Sequence, residues 1–545
     1  MSFTDFDIFD ETEITVPFAA AVEEASEEVA EKAQAPLSVR MRKAALWSGL
    51  NSFALRLGQF LVGIATAHIF APHEFGVFAV ALTVHAIVVN VSELGVTTSL
   101  VRTKDDPGTM APTVATLAIA SSVILTALMF FTAGPIASAL GAPGATGPIR
   151  IMSATVLLAG LSAVPYALLM RNFRQDKRFI ADGSNLLVST IVVIGLGLAG
   201  WGATGLALSY VAGQLVSLVI LTLIIAPRYR PGWNRRLVGP ILDYSLPLAG
   251  ASLVTFLLGN VDYIVVGHLL GPIALGLYVL AYNISGWPVS VFGLMINEVA
   301  LPAFTQAHSA ADALPRRTAG ALSITAAAAL PVSALCLALA HPLVLSVYGH
   351  RWSAAAGALA WLGVFGSMRI LITLLTNILI AIGRSRAVLW LQLLWIAGLI
   401  PAIIVGVKTH GIVGAAVAQE VVAIVTVVPA SLVVVSRAGA GPLPLLLRAM
   451  VRPFIGALVA GLLAWATTRL LHSSWLELII GAAVGLAGYV AVAGPWTRRV
   501  LAEASSHWDD AHTAPIVGRR DYVGRHGAAS KAPTRATARR ASQHG

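Results

Sequence analysis

Three short stripes of polar residues interrupt an otherwise apolar sequence, each spaced for one helical face. Ser52, Arg56, Gln59, Gly63 and Thr66 fall at i, i+4, i+7, i+11 and i+14. Arg369, Thr373 and Thr376 repeat the device at i, i+4 and i+7, and Ser252, Thr255, Gly259 and Asp262 run at i, i+3, i+7 and i+10. A guanidinium is a planar fork that matches phosphate oxygens. Asn260, Glu93, Glu298 and Glu420 are further candidates, with His85, Asn90, Asn283 and Gln419 close by. Ionisable groups inside apolar runs are costly and are functional candidates by default. For each arginine two roles stay open: lining a wet cavity, or pairing with Asp262, Glu93 or Glu420 and serving structure alone. The four acids are expected as ion-coupling or structural charges, and Glu298, near the end of its run, can simply reach headgroups.

The elements that hold these stripes are set by composition. The chain has 545 residues, 57% hydrophobic and 11% charged, against about 25% charged in soluble domains. Its mean hydropathy is +0.80, so the bilayer is its expected solvent. The net charge of +10 does not point to nucleic acid, because the basic residues sit in short gaps between apolar runs. The single cysteine, Cys336, excludes an internal disulfide and reads as a small buried hydrophobe. No metal set, nucleophile elbow or phosphate-binding loop is present, and no cofactor is expected. "GLGLAG" (195–200) fits a dinucleotide fingerprint but lies in an apolar run, so its glycines serve close packing. "NVS" and "NIS" (90–92, 283–285) fit a glycosylation sequon, again within apolar runs.

About fourteen apolar runs are long enough to cross a membrane, which predicts an all-α integral membrane protein. Placing the N-terminus in the cytoplasm leaves 22 Lys and Arg in the inner gaps and 4 in the outer ones, as the positive-inside rule requires. Both termini are then cytoplasmic. The boundary between the fifth and sixth runs rests on "GWGATG" (200–205) alone. All outer gaps are short, which argues against membrane glycosyltransferases and polymerases. Trp47, Trp201, Trp352 and Trp475 fall near the estimated interfaces and read as anchors, while Trp287 lies deeper beside Pro288. Residues 1–39 hold ten acids and no signal peptide, and read as a disordered cytoplasmic tail. Residues 498–545 read as a basic, disordered counterpart.

A phrase is written twice. "HIFAPHEFGVF" (68–78) and "HLLGPIALGLY" (268–278) share His, Pro and Gly at an offset of 200, each between two runs. "GATGLALSYVAG" (202–213) and "GIVGAAVAQEVV" (411–422) share G-x-x-G at an offset of 209. Six runs therefore repeat. Because six is even, the copies run the same way and are related by a pseudo-two-fold along the membrane normal. The expected organisation is an N-lobe of spans 1–6 (40–236), a C-lobe of spans 7–12 (237–440), and spans 13–14 (441–497). At the 200 offset Arg56 meets Phe256, and Asp262 meets Val62. The turns repeat while the charges do not, as suits an asymmetric ligand between lobes.

The stretch "LGNVDYIVVGHLLGPIALGLYVLAYNISGWPVSVFGLMINEVALPAFTQ" (258–306) resembles the signature of bacterial polysaccharide transporters, in the multidrug/oligosaccharidyl-lipid/polysaccharide exporter superfamily. The resemblance is carried by Asn260, Asp262 and Tyr263; by Leu270, Gly271, Pro272, Leu275, Gly276 and Tyr278; and by Asn297, Pro302, Ala303 and Phe304. "FAPHEFGVFAVALT" (70–83) resembles the family's first turn, departing at Phe70 and Ala71. The resemblance spans roughly 40–440. It implies a flippase in the bacterial cytoplasmic membrane that exports a lipid-linked, polyprenyl-pyrophosphate oligosaccharide or polysaccharide precursor by alternating access. Arg56, Gln59, Asn260, Arg369 and Thr373 would then contact substrate, the arginines at the pyrophosphate. The partners would be the lipid-linked glycan, membrane lipids, and the glycosyltransferases and polymerase of a glycan pathway. The alternatives are a cation-coupled drug antiporter of the same superfamily and a non-transporting scaffold of a glycan assembly complex.

Overall fold

A computed structural model describes residues 54–92, 100, 107–172, 174–224, 231–307 and 314–513. All regular elements among them are helical. The first lobe contains α1 (Ala54–Ile69), α2 (Pro72–Ser92), α3 (Pro107–Ala139), α4 (Thr146–Arg171), α5 (Gln175–Leu198) and α6 (Gly202–Ile224). The second contains α7 (235–270), α8 (272–307), α9 (Leu314–Val347), α10 (Ala355–Ala381), α11 (385–409) and α12 (412–437). Two more, α13 (Leu443–Leu470) and α14 (Ser474–Thr513), complete fourteen among the described residues. The protein is thus an all-α, multi-pass membrane protein with two six-helix lobes and two added helices. The apolar exterior confirms the solvent: Phe131, Ile191, Leu223, Trp390 and Leu470 are among many large apolar side chains left exposed.

Two reversals are made with almost no connecting loop. Gly271 separates α7 from α8 at φ 80°, and Gly411 separates α11 from α12 at φ 59°. These values are accessible to glycine and strained for other residues. Both glycines belong to the repeated phrases. A further correspondence was not expected: a 3₁₀ turn joins α3 to α4 at Pro143–Ala145, and another joins α9 to α10 at His350–Trp352. Each falls between the third and fourth helix of its lobe.

The two lobes meet where the repeated phrases lie, at the turn face. A Cβ built on Gly76 would overlap the carbonyl oxygen of Pro272, and one on Gly276 would overlap that of Pro72. The contact is reciprocal at the 200 offset, as a pseudo-two-fold demands. Glycine permits it because only a missing side chain lets two helix ends approach so closely. Pro72 and Pro272 stand in first turns, where no N–H is needed. Around this clasp, Trp352 Nε1 donates to Ala67 O (2.9 Å) and His268 Nδ1 donates to Ala139 O (2.7 Å). Phe75 meets the Trp352 ring edge-on. Trp352 is fully buried, so it is a lobe-to-lobe bolt and not the interfacial anchor its position suggests. Trp201 and Trp475 are exposed, as anchors should be.

The last two helices lean on the second lobe through α9. Ser323 Oγ donates to Ala449 O (3.2 Å), and Tyr489 Oη donates to Ala327 O (2.7 Å). Helix α14 continues to Thr513, beyond residue 498, where the basic tail was expected to begin. Residues 1–39 and 514–545 lie outside the described residues.

Candidate functional site

The polar core of the second lobe is built from α7, α8 and α12. Asp262 is 2% exposed. Tyr278 Oη donates to its Oδ2 (3.0 Å), and Gln419 Nε2 donates to the same oxygen (2.7 Å). Gln419 Nε2 also donates to Tyr278 Oη (2.8 Å), closing a triangle. The triangle draws one residue from each of three helices. It is possible because α7 and α8 fold back at Gly271 and α12 starts at Gly411, against which Leu270 packs (3.9 Å from a built Cβ). Asp262 lies nine residues before Gly271. At 1.5 Å per residue it is about 13 Å from the turn face, near the middle of a hydrocarbon core of roughly 30 Å. A buried carboxylate is tolerable only when such donors hold it.

Beside the triangle stands a tyrosine cluster. Tyr263 makes edge contacts with Tyr278 and Tyr282 (centroids 6.1 and 5.3 Å). Tyr278 and Tyr282 are one helical turn apart and share a face of α8. Tyr282 Oη accepts from Arg369 Nη1 (2.7 Å). The same guanidinium lies 5.7 Å from the Tyr282 ring centroid and 5.9 Å from that of Phe365. Arg369 is therefore held by aromatic groups, a favourable setting for a guanidinium. Among the described residues it forms no ion pair. Of the expected alternative partners, neither Asp262 nor Glu420 pairs with it; the third, Glu93, lies outside the described residues.

The other candidates fall as follows. Arg56 is half-buried on α1 and Gln59 is exposed; neither has a hydrogen-bond or ion-pair partner among the described residues. One turn from Arg56, Phe60 stacks on Trp287 of α8 (centroids 4.9 Å). Thus α8 meets α1 at Trp287 and α10 at Tyr282: Arg369 bonds to this segment directly, and Arg56 lies one helical turn from the Phe60 that stacks on it. By helical rise, Arg56 and Arg369 are each about 21–22 Å from the turn face. Thr373 Oγ1 donates to Arg369 O (2.8 Å), inside its own helix. Asn260 is half-buried and takes part in contacts of its own. Glu420 is 2% exposed, and neither carboxyl oxygen has a hydrogen-bond partner among the described residues. Glu93 and the side chains of Ser252, Thr255 and Glu298 lie outside the described residues. No group of three potential metal ligands occurs among the described residues.

The sequence points to Asp262, Gln419 and Arg369 but not to what joins them. Nothing in it singles out Tyr282 or Phe365, and Tyr278 stands out only for its place in a turn motif. The available signal was the i, i+4 pair of tyrosines on one face of an apolar helix, next to a third tyrosine adjacent to Asp262.

Comparison with known proteins agrees with this architecture. The family model "Polysaccharide biosynthesis protein" matches residues 66–357. The succinoglycan biosynthesis transport protein ExoT of Rhizobium meliloti (strain 1021) is 27% identical over 450 residues, covering 81% of this chain and 90% of that one. The lipopolysaccharide biosynthesis protein WzxC of Escherichia coli (strain K12) is 24% identical, covering 68% and 76%. Among solved structures, lipid II flippase MurJ in an inward closed conformation superposes with a TM-score of 0.68 at 16% identity, covering 84% of this chain and 99% of that one. An inward-facing multidrug resistance MATE transporter of the MOP superfamily gives 0.58 at 17%, covering 72% and 98%. The two likenesses show a shared two-lobe fold, and the family match, over more than half of the chain, places this protein in the polysaccharide biosynthesis protein family.

Proposed function

We propose that this protein is a flippase that moves a lipid-linked oligosaccharide or polysaccharide precursor, carried on polyprenyl pyrophosphate, across the bacterial cytoplasmic membrane. The observation that carries the proposal is the pair Arg56 and Arg369. Each comes from a different lobe, on a helix that packs against one segment of α8 (through Phe60 on Trp287 and Arg369 on Tyr282), and neither is neutralised by an acid among the described residues. Two such guanidiniums suit a pyrophosphate. Gln59, Asn260 and Thr373 are the groups assigned to the glycan. The turn face is assigned to the outside by the charge bias of the gaps, which leaves both termini in the cytoplasm. The lobes are clasped on that side, so substrate enters from the cytoplasmic side and leaves once the clasp opens. Glycosyltransferases and a polymerase of a glycan pathway are its expected partners. Asp262, satisfied by its donors, is assigned a structural role, and Glu420 is the candidate for ion coupling.

The test is reconstitution in proteoliposomes with isotope-labelled lipid-linked oligosaccharide, with a lipophilic drug cation as a parallel substrate. Movement of the glycan lipid and not of the cation is expected. Movement of the cation alone would make the protein a drug antiporter, and movement of neither would make it a scaffold.

A further inference from the structure

We infer that Glu420 is a proton-carrying site at the middle of the membrane, and that the proton is the ion coupled to transport. The second half of this inference rests on the flippase reading; the first half does not. Glu420 follows Gly411 by nine residues, just as Asp262 precedes Gly271 by nine, so by helical rise the two carboxyls lie at one depth, about 13 Å from the turn face. They are treated oppositely. Asp262 receives two donors on Oδ2, whereas both oxygens of Glu420 are buried without a partner. An isolated charge in such a place is prohibitively costly, and the inexpensive alternative is the neutral acid.

The ionisable groups on the neighbouring helices do not relieve that cost. They include Arg369 of α10; Arg235, Arg236, Asp243, Asp262, Tyr263, His268, Tyr278 and Tyr282 of α7 and α8; Arg384, Arg386, Lys408 and His410 on and beside α11; Arg437 of α12 itself; and Arg448, Arg452 and Arg469 of α13. No hydrogen bond or ion pair joins any of them to Glu420 among the described residues. A metal cation would need several oxygens converging on the carboxyl, and among the described residues neither of its oxygens has a hydrogen-bonding partner. Protonation alone neutralises the group: a solvent proton bonds to one carboxylate oxygen, and the charge goes from −1 to 0.

The backbone gives the site a way to exchange that proton. Immediately after Val422, α12 widens into a π turn, Ala423–Val427. Such turns insert an extra residue, weaken the local ladder and concentrate at functional sites. Gln419, one residue before Glu420, is bonded across to α7 and α8. A shift of α12 against these helices would break that bond and expose Glu420 together, linking protonation to the movement of the second lobe.

The experiment uses the full-length protein and the Glu420→Gln, Glu420→Asp and Asp262→Asn variants, each monodisperse in detergent. Infrared spectra without any glycan should contain a protonated-carboxyl C=O stretch that moves in D₂O. The band should be absent from Glu420→Gln and present in Glu420→Asp and Asp262→Asn. A band that persists in Glu420→Gln, or does not move in D₂O, overturns the assignment. Under an imposed pH gradient, the wild type should flip labelled lipid-linked oligosaccharide several-fold faster than without it, and Glu420→Gln should show no response. An equal response in both overturns the coupling. Should no glycan lipid be flipped at all, the function proposed above fails, while the infrared band still judges the proton site.

Discussion

Gly76 packs against the carbonyl of Pro272, and its repeat partner Gly276 packs against the carbonyl of Pro72. The second contact is the first one carried through the pseudo-two-fold. Two lobes joined by backbone contacts of this kind can part and rejoin without dragging side chains through each other.

Filling that contact should force the lobes apart. With Cys336→Ala as background, a cysteine pair at Ala139 and His268 is expected to cross-link readily, because His268 bonds to Ala139 in the clasped state. Adding Gly76→Leu should lower the cross-linked fraction several-fold. An unchanged yield would mean that the glycine contact is not what holds the turn face shut.

Trp352 offers a gentler change at the same place. Trp352→Phe removes the donor to Ala67 O, a bond expected to be worth about 1 kcal/mol. A modest fall in melting temperature should accompany the same loss of cross-linking. A large fall in stability with cross-linking intact would assign Trp352 to the second lobe alone.

Much of this architecture is legible in the sequence because a bilayer imposes simple rules. Spans announce themselves by apolar length, and Gly271 and Gly411 sit where the runs must reverse. The repeat is visible because backbone contacts at Gly76 and Gly276 tolerate no side chain. The polar core is far less legible. Gln419 reaches Asp262 across 157 positions, and no periodicity along a single helix fixes how two helices rotate against each other. Arg369 illustrates the gap: charge counting offers it Asp262, Glu93 or Glu420, while the fold gives it Tyr282 and Phe365. Trp352 shows the same limit, since proximity to an interface does not say whether a side chain faces lipid or the other lobe.

The Asp262 triangle makes a stability prediction. Asp262→Ala strips the acceptor from Tyr278 and Gln419 and leaves both donors buried, at a cost of about 1–3 kcal/mol for each unsatisfied group. Asp262→Asn keeps the shape and one acceptor, so it should cost less. Melting curves in detergent check the order: wild type highest, Asn next, Ala lowest. A variant Asp262→Ala as stable as the wild type would show that the triangle is not structural.

Tyr282 is expected to position Arg369. Tyr282→Phe keeps the ring beneath the guanidinium but removes the hydroxyl it donates to, so flipping should fall while folding is retained. Arg369→Lys should not restore activity, because an ammonium lacks the planar fork. If Tyr282→Phe flips normally, the hydroxyl does not set the arginine.

The most direct measurement of the central claim is the rate of lipid-linked oligosaccharide flipping in proteoliposomes for the wild type, Arg56→Ala and Arg369→Ala. A charge-assisted hydrogen bond to phosphate is worth about 1.5–3 kcal/mol, so each variant should flip roughly tenfold or more slowly at limiting substrate while remaining folded. Flipping at the wild-type rate by both variants would contradict the account.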